Sequence, residues 1–171
     1  GQSVAGSLLQ LGKPRHVKRG LELAETALKY FKAAGDTGEE AATLVLISQL
    51  HLAEQAYEDA HLFAKVSADL ARSQGALSRE AAAQQQIARV MLAQGGDPES
   101  AGSLAKQAVT KCRKNGDMLG EIAAHQVVAS AYQAEGLVNM ALEALNEALA
   151  MARKLGHKFL ISTLLDAIVK I

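Results

Sequence analysis

Apolar residues recur along this chain at helical spacing rather than at the alternating spacing of β-strands. Ala144, Leu145, Ala148 and Leu149 follow Ala141 by three, four, seven and eight residues, which places all five on one stripe of an α-helix. Similar stripes predict nine helices, over residues 2–11, 17–34, 37–54, 57–74, 77–94, 98–115, 118–135, 138–155 and 158–170. Because every connection between them is short, we expect consecutive helices to be antiparallel neighbours.

The pattern returns about every 40 residues. Gly35, Gly75, Gly116 and Gly156 are spaced by 40, 41 and 40 residues, and each follows a helical run with basic residues near its end, which is typical of a helix C-cap. Four small residues lie fifteen positions before these glycines: Gly20, Ala60, Ala101 and Ala141. We therefore predict one repeat domain over residues 1–171, with units at about 1–35, 36–75, 76–116 and 117–156 and a half unit at 157–171.

Composition supports an all-α fold and narrows the class of partner. Hydrophobic residues make up 49% of the chain but aromatic residues only 4%, with two prolines, so the apolar content is mostly helix-forming alanine and leucine. The 18 basic and 18 acidic residues balance, which argues against nucleic acid or a membrane surface as partner. The single cysteine excludes an internal disulfide. Without an apolar run of about 18 residues or a signal-peptide pattern, we expect a cytoplasmic protein.

The repeated residues resemble the tetratricopeptide-repeat (TPR) family, in its longer-unit form of about 40 residues. The last full unit carries the family pattern of apolar, small, aromatic, turn glycine and two alanines, at Val128, Ala129, Tyr132, Gly136, Ala141 and Ala148. The middle unit has Ile87, Ala88, Met91, Gly95, Ala101 and Ala108. The first has Ile47, Ser48, His51, Gln55, Ala60 and Ser67, without the aromatic and the turn glycine. The resemblance implies a right-handed α-solenoid of antiparallel helix pairs that acts as a protein-binding scaffold.

Residues that could carry chemistry are few and do not form a recognisable constellation. His51 and His61 flank the one candidate metal corner, but His51 shares its repeat position with Met91 and Tyr132, so we interpret it as a packing or surface residue. His125 and His157 have no matched carboxylate or cysteine in the sequence.

Nucleophiles and phosphate-binding loops are equally poorly supported. Cys112 shares its repeat position with Phe31, Ala71 and Ala152, which predicts a buried, unreactive thiol. No serine has histidine and aspartate at a workable spacing, and no glycine-rich phosphate loop follows a strand. We therefore predict no catalytic residue, no metal ligand and no cofactor.

The first helix of each pair should line the concave groove. We predict that the partner-binding residues are Val45, Gln49, Gln85, Arg89, Gln126, Ser130 and Gln133, with Asp166 and Lys170 continuing the surface. The lysine of the family's carboxylate clamp is missing at the matching positions, which are Val45, Gln49, Gln86, Ala123 and Val127. Two interpretations stay open: the glutamines bind an extended peptide backbone, or they solvate an exposed helix face.

The last predicted helix is rich in large apolar residues. Phe159, Leu160, Leu164, Ile168 and Ile171 are predicted to drive self-association, with a two-fold homodimer as the expected form. In the alternative, this helix packs fully against the preceding pair and caps the array.

The predicted function is a scaffold or adaptor that binds a protein or peptide, with no nucleic-acid or membrane partner. One alternative is an assembly or dimerisation module excised from a larger multidomain, possibly biosynthetic, protein. Another is a sensor that binds a short peptide and changes curvature. An enzyme ranks below these because no acid, base and nucleophile converge in the sequence.

Overall fold

The computed structural model describes residues 14–171, which form eight α-helices. They are α1 Pro14–Ala34, α2 Thr37–Ala53, α3 Tyr57–Ser73, α4 Leu77–Ala93, α5 Pro98–Lys114, α6 Met118–Ala134, α7 Val138–Leu155 and α8 Lys158–Val169. From α2 onward each helix begins at the predicted residue and ends within one residue of the predicted end. The helix predicted over residues 2–11 lies outside the described residues. No strand occurs in residues 14–171, which confirms the all-α fold class.

Short polar signals fix the helix ends. Asp36, Asp97 and Asp117 are N-caps whose carboxylates each accept a hydrogen bond from a backbone N–H three residues later, which satisfies a donor that the first helical turn leaves free. The four glycines that define the repeat have φ between +65° and +69°. This left-handed backbone costs glycine little and ends each helix. The local sequence therefore sets where every connection falls.

The helices form two layers. α4 packs against α2 and α6 as well as against its sequence neighbours, whereas α1, α3, α5 and α7 do not contact one another within residues 14–171. The helices α2, α4 and α6 therefore make a closely packed inner layer, and the odd-numbered helices make a more widely spaced outer layer. α8 differs from the other even-numbered helices because it packs against α7 and not against α6.

Small residues allow this close packing. Ala60, Ala101 and Ala141, the repeated small positions, are fully buried. In the first described pair, serines replace repeated alanines: Ser48 donates to the Ala60 carbonyl at 2.6 Å and Ser67 donates to the Ala41 carbonyl at 2.7 Å. These hydrogen bonds join α2 to α3 and satisfy both buried hydroxyls.

Within the described residues every helix is too short or too polar to cross a lipid bilayer.

Candidate functional site

A hollow of about 480 Å³ opens on the inner layer between α2 and α4. Its lining residues, which we call the inner hollow, are Gln49, Leu52, Ala53, Gln86 and Arg89. Leu52 and Ala53 give the hollow an apolar side, and the two glutamines and the arginine supply hydrogen-bonding groups. The inner hollow can therefore receive a group that is partly apolar and partly charged.

Arg89 carries the main charge of the inner hollow. It is half-buried, and among residues 14–171 no carboxylate lies within salt-bridge distance of its guanidinium. Burial lowers the pKa of Arg89 below its usual value, because removing a cation from water disfavours its charged form. An anion placed beside Arg89 would offset this cost.

Gln86 supports the back of the hollow through a chain of hydrogen bonds. Its Nε2 donates to Ser48 Oγ at 3.1 Å, and Ser48 in turn donates to the Ala60 carbonyl at 2.6 Å. Gln86 Oε1 is buried and has no hydrogen-bond partner among the described residues. Sequence reasoning did not select Gln86 for the site, although a glutamine where the other units have Leu46 and Val127 was a usable signal.

The seven predicted groove residues do not form one site. Gln49 and Arg89 meet in the inner hollow, whereas Val45 and Gln126 are half-buried elsewhere and Ser130 and Gln133 are exposed near the end of α6. The expectation that Gln85 faces the groove is wrong. Gln85 is only 4% exposed, and its Nε2 donates to the Gly120 carbonyl at 3.2 Å, because the first turn of α6 packs over it.

A second concave region, the outer cleft, lies between α5 and α7 with α6 as its floor. Its volume is about 320 Å³. The lining residues are Lys106, Val109, Thr110, Arg113, His125, Val128, Tyr132, Met140, Glu143, Ala144 and Glu147. Sequence reasoning placed no site here, because it treated only the inner helices as ligand-facing.

The structure corrects the prediction that His125 has no matched carboxylate. His125 Nε2 lies 3.4 Å from Glu147 Oε2 on α7 and 3.9 Å from Glu121 Oε1, one turn earlier on α6. Burial lowers the pKa of His125, and Arg113 lowers it further, while Glu147 and Glu121 act in the opposite direction. Burial is the largest of these effects, so the imidazole is neutral near pH 7.

The other candidate groups fill structural positions. His51 stacks on the Phe63 ring with centroids 5.3 Å apart, which confirms its interpretation as a packing residue. Cys112 is fully buried, and burial, followed by Asp117 and Glu121, raises its pKa to about 11, so its sulfur stays a thiol. Within residues 14–171 no three histidine, cysteine or acidic side chains converge as metal ligands.

The predicted self-association residues are mostly turned toward the core. Leu164 is fully buried, and Leu160, Ile168 and Ile171 pack against the main hydrophobic cluster, so Phe159 alone among the five is exposed. The stripe that sequence analysis identified is the stripe by which α8 packs on α7. The exposed apolar side chains of α8 are Phe159, Leu165 and Val169, with 59%, 39% and 84% of their surface accessible.

Comparison with solved structures identifies the fold. The chain is similar to a crystal structure of nearly identical TPR-like repeats from a Podosopora anserina protein designated a kinesin light chain, with a TM-score of 0.64 and 20% identity. The similarity covers 90% of this chain and 75% of that one. The TPR-like helical repeat predicted from the sequence is therefore confirmed as the fold. No protein-family model and no curated protein sequence matches the chain.

Proposed function

We propose that this chain is a protein-interaction scaffold whose inner hollow binds a carboxylate-bearing segment of a partner protein. The observation that carries the proposal is Arg89, a half-buried cation with no carboxylate partner among the described residues, in a hollow large enough for a side chain. TPR-like folds commonly serve as binding scaffolds, and function resides in such sites rather than in the fold itself.

The chemistry of the hollow favours a peptide over an isolated anion. Arg89 can donate two hydrogen bonds to a carboxylate, and each charge-assisted bond contributes roughly 1.5–3 kcal/mol. Gln49 both donates and accepts, so it can pair with a peptide group next to the carboxylate. Leu52 and Ala53 offer apolar surface to the adjoining methylenes. In this proposal Gln126, Ser130 and Gln133 extend the binding surface toward the end of α6, and no catalysis or cofactor is involved.

A random peptide library displayed on phage tests this proposal when it is selected on the immobilised chain. We expect wild-type chain to enrich peptides with aspartate, glutamate or a free C-terminal carboxylate, and Arg89→Ala to lose that enrichment. Arg79→Ala is the matched control, because Arg79 lies on the same helix, is already paired with Glu39 at 2.9 Å and lies outside the hollow. Equal enrichment of acidic peptides by Arg89→Ala and wild type would refute the proposal.

A second candidate function is self-association through α8. Val169 is 84% exposed, and α8 lacks the contact with an adjacent inner helix that α2, α4 and α6 share. A second copy could cover Phe159, Leu165 and Val169 by two-fold symmetry. Light scattering during gel filtration would then give twice the 18.0 kDa chain mass, and Val169→Lys would restore the monomer. A wild-type monomer at high concentration would refute this candidate.

A further inference from the structure

The outer cleft contains a buried polar atom that the chain leaves without a partner. His125 is 7% exposed, and its Nε2 makes no hydrogen bond with the described residues. The nearest acceptor, Glu147 Oε2, lies 3.4 Å away but in a direction unsuitable for a hydrogen bond. A buried nitrogen in this state is costly unless another group pairs with it.

The repeat supplies an internal comparison, because an equivalent cleft occurs one unit earlier between α3 and α5 above α4. We call it the earlier cleft. Counting from the repeated small residues and glycines, its residues correspond to those of the outer cleft as Glu80 to Glu121, Gln84 to His125, Leu104 to Ala144, Gln107 to Glu147 and Lys111 to Met151.

In the earlier cleft the chain satisfies its own polar groups with an ammonium. Lys111 Nζ lies 3.0 Å from Gln84 Oε1 and 3.6 Å from Glu80 Oε1, and its side chain is only 21% exposed. Gln84 Nε2 donates to Gln107 Oε1 at 3.5 Å. Leu104 adds bulk at the position where the outer cleft has Ala144. The earlier cleft is therefore occupied by side chains of this protein.

The outer cleft keeps the acceptors and lacks the ammonium. Glu121 and His125 stand where Glu80 and Gln84 bind Lys111, but the lysine position holds Met151 and the leucine position holds Ala144. Glu147 adds a carboxylate where the earlier cleft has an uncharged glutamine. The result is open volume beside a neutral imidazole and two carboxylates.

Charge in the outer cleft also favours a cation. Arg113 is already bound to Glu121, with Nε and Nη2 at 2.9 and 2.7 Å from Oε1. Lys106 places its ammonium 4.7 Å from the centre of the Tyr132 ring. These two cations face three carboxylates once Glu143 and Glu147 are included, which leaves one negative charge in excess.

We propose that the outer cleft binds a lysine side chain of a partner protein, whose ammonium occupies the position that Lys111 Nζ holds in the earlier cleft. The ammonium donates to Glu147, Glu121 and His125 Nε2, and the lysine methylenes lie on Val128, Met140 and Ala144. Glu147 covers Nε2 in the free chain, but its side chain is 63% exposed and can turn toward the incoming ammonium without leaving a packed position. This site is independent of the inner hollow.

Binding in the cleft is coupled to the protonation of His125. Charged groups face this imidazole from every helix packed around it: Arg113 on α5, Glu121 on α6 and Glu147 on α7. A proton on His125 removes the acceptor and places a cation where the ammonium would bind. Bound lysine therefore lowers the pKa of His125 further, and the affinity for lysine falls as the pH falls through that pKa.

Titration of the folded chain with Nα-acetyl-lysine methylamide tests the proposal, with the imidazole resonances of His125 followed by NMR and assigned from His125→Gln. We expect saturable shifts with a millimolar dissociation constant, typical of a single side chain, and a lower His125 pKa in the saturated state. Nα-acetyl-norleucine methylamide has the same apolar stem without the ammonium and should give no saturable shift. Identical shifts with both probes would overturn the proposal.

Two variants copy the earlier cleft and should abolish binding for different reasons. Ala144→Leu fills the volume as Leu104 does, and Met151→Lys supplies the ammonium as Lys111 does. Gln107→Ala, in the earlier cleft, is the matched control and should bind the probe as wild type does. Met151→Lys replaces a half-buried side chain by a flexible one, so it remains informative if Ala144→Leu fails to fold. Unchanged binding by folded Met151→Lys would contradict the site.

A competing free diamine is the remaining alternative occupant. Binding of 1,4-diaminobutane at least about tenfold tighter than the lysine probe, a difference of about 1.4 kcal/mol, would reject a protein partner. Affinity for the diamine equal to or below that for the lysine probe supports the proposal. The inner-hollow variant Arg89→Ala should not change these titrations, so failure of one site leaves the other untouched.

Discussion

Gln55 is the one residue other than glycine with a positive φ among residues 14–171, at +60°. It ends α2 at the position where the later units have Gly95 and Gly136, with φ of +75° and +77°. A side chain in the left-handed region costs roughly 1–2 kcal/mol relative to glycine. The first unit therefore keeps the helix ending of the family without its usual residue.

Gln55→Gly should stabilise the chain by about 0.5–1 kcal/mol, because relief of backbone strain outweighs the greater freedom of glycine in the unfolded state. Gly95→Gln is the reverse experiment, and a Cβ at Gly95 would meet nothing within 4 Å. That substitution should therefore destabilise the chain through the backbone alone. Urea unfolding of both variants measures the effect, and a destabilised Gln55→Gly would show that the Gln55 side chain contributes more than its strain costs.

His125 gives the stability of the chain a pH dependence of known sign. Its pKa is lowered in the folded state by burial and is about 6.5 in the unfolded state, so the unfolded chain binds more protons between these two values. The contribution of His125 to stability is therefore fully present above about pH 6.5 and is lost as the pH falls through its folded pKa. We expect His125→Gln to flatten the stability profile in this range. A wild-type profile that is unchanged by the substitution would contradict the buried, neutral histidine.

Single residues also mark the limit of prediction from the sequence. The caps and turn glycines act within a few positions, so they predicted every helix start from α2 onward. Gln85, His125 and Leu164 were misjudged because their surroundings come from another helix: Gly120, Glu147 and the α7 surface, respectively. Helical periodicity gives the direction of a side chain around its own axis, but it does not say how far the neighbouring helix covers it.

Between helices, the contact of α2 with α4 depends on the pair formed by Ser48 and Gln86. At the contact of α4 with α6 the equivalent residues are Ala88 and Val127, so the same geometry can be built with or without a hydrogen bond. Both Ser48 and Gln86 are fully buried, and removing one partner leaves the other unsatisfied.

Ser48→Ala should therefore destabilise the chain by about 1–3 kcal/mol. The double variant with Ser48→Ala and Gln86→Val copies the later contact and should recover much of that loss, because no polar group is then left unpaired. Urea unfolding of the two single variants and the double variant provides a double-mutant cycle. Additive losses in the double variant would show that the two side chains act separately.

The repeated alanines limit how closely paired helices approach. Ala101 and Ala141 are fully buried, so Ala141→Leu should overpack the contact between α6 and α7 and cost about 1–3 kcal/mol. The exposed Ala134→Leu at the end of α6 is the control and should change stability by less than about 0.5 kcal/mol. A neutral Ala141→Leu in a thermal melt would show that the repeat alignment is displaced.

Over the whole molecule, stability should be graded rather than uniform. In a helical repeat each unit contacts only its neighbours, so local opening need not unfold the array. α2 packs against α1, α3 and α4, whereas α8 packs only against α7. The C-terminal helix is therefore held by the smallest set of helix partners among the even-numbered helices.

Leu164→Ala should loosen α8 without disturbing the inner hollow. Leu164 is fully buried against α7, and removing it costs roughly 2–5 kcal/mol of local packing. Hydrogen exchange should become faster throughout α8 and in the facing part of α7, while the amides of α2, α3 and α4 keep their wild-type protection. Ile47→Ala provides the comparison: Ile47 is also fully buried but lies in α2, so its loss should speed exchange in α1 to α4. Equal acceleration in all eight helices by either variant would mean that the described part of the chain unfolds as one cooperative unit, and α8 could not then open alone to expose the apolar face on which self-association depends.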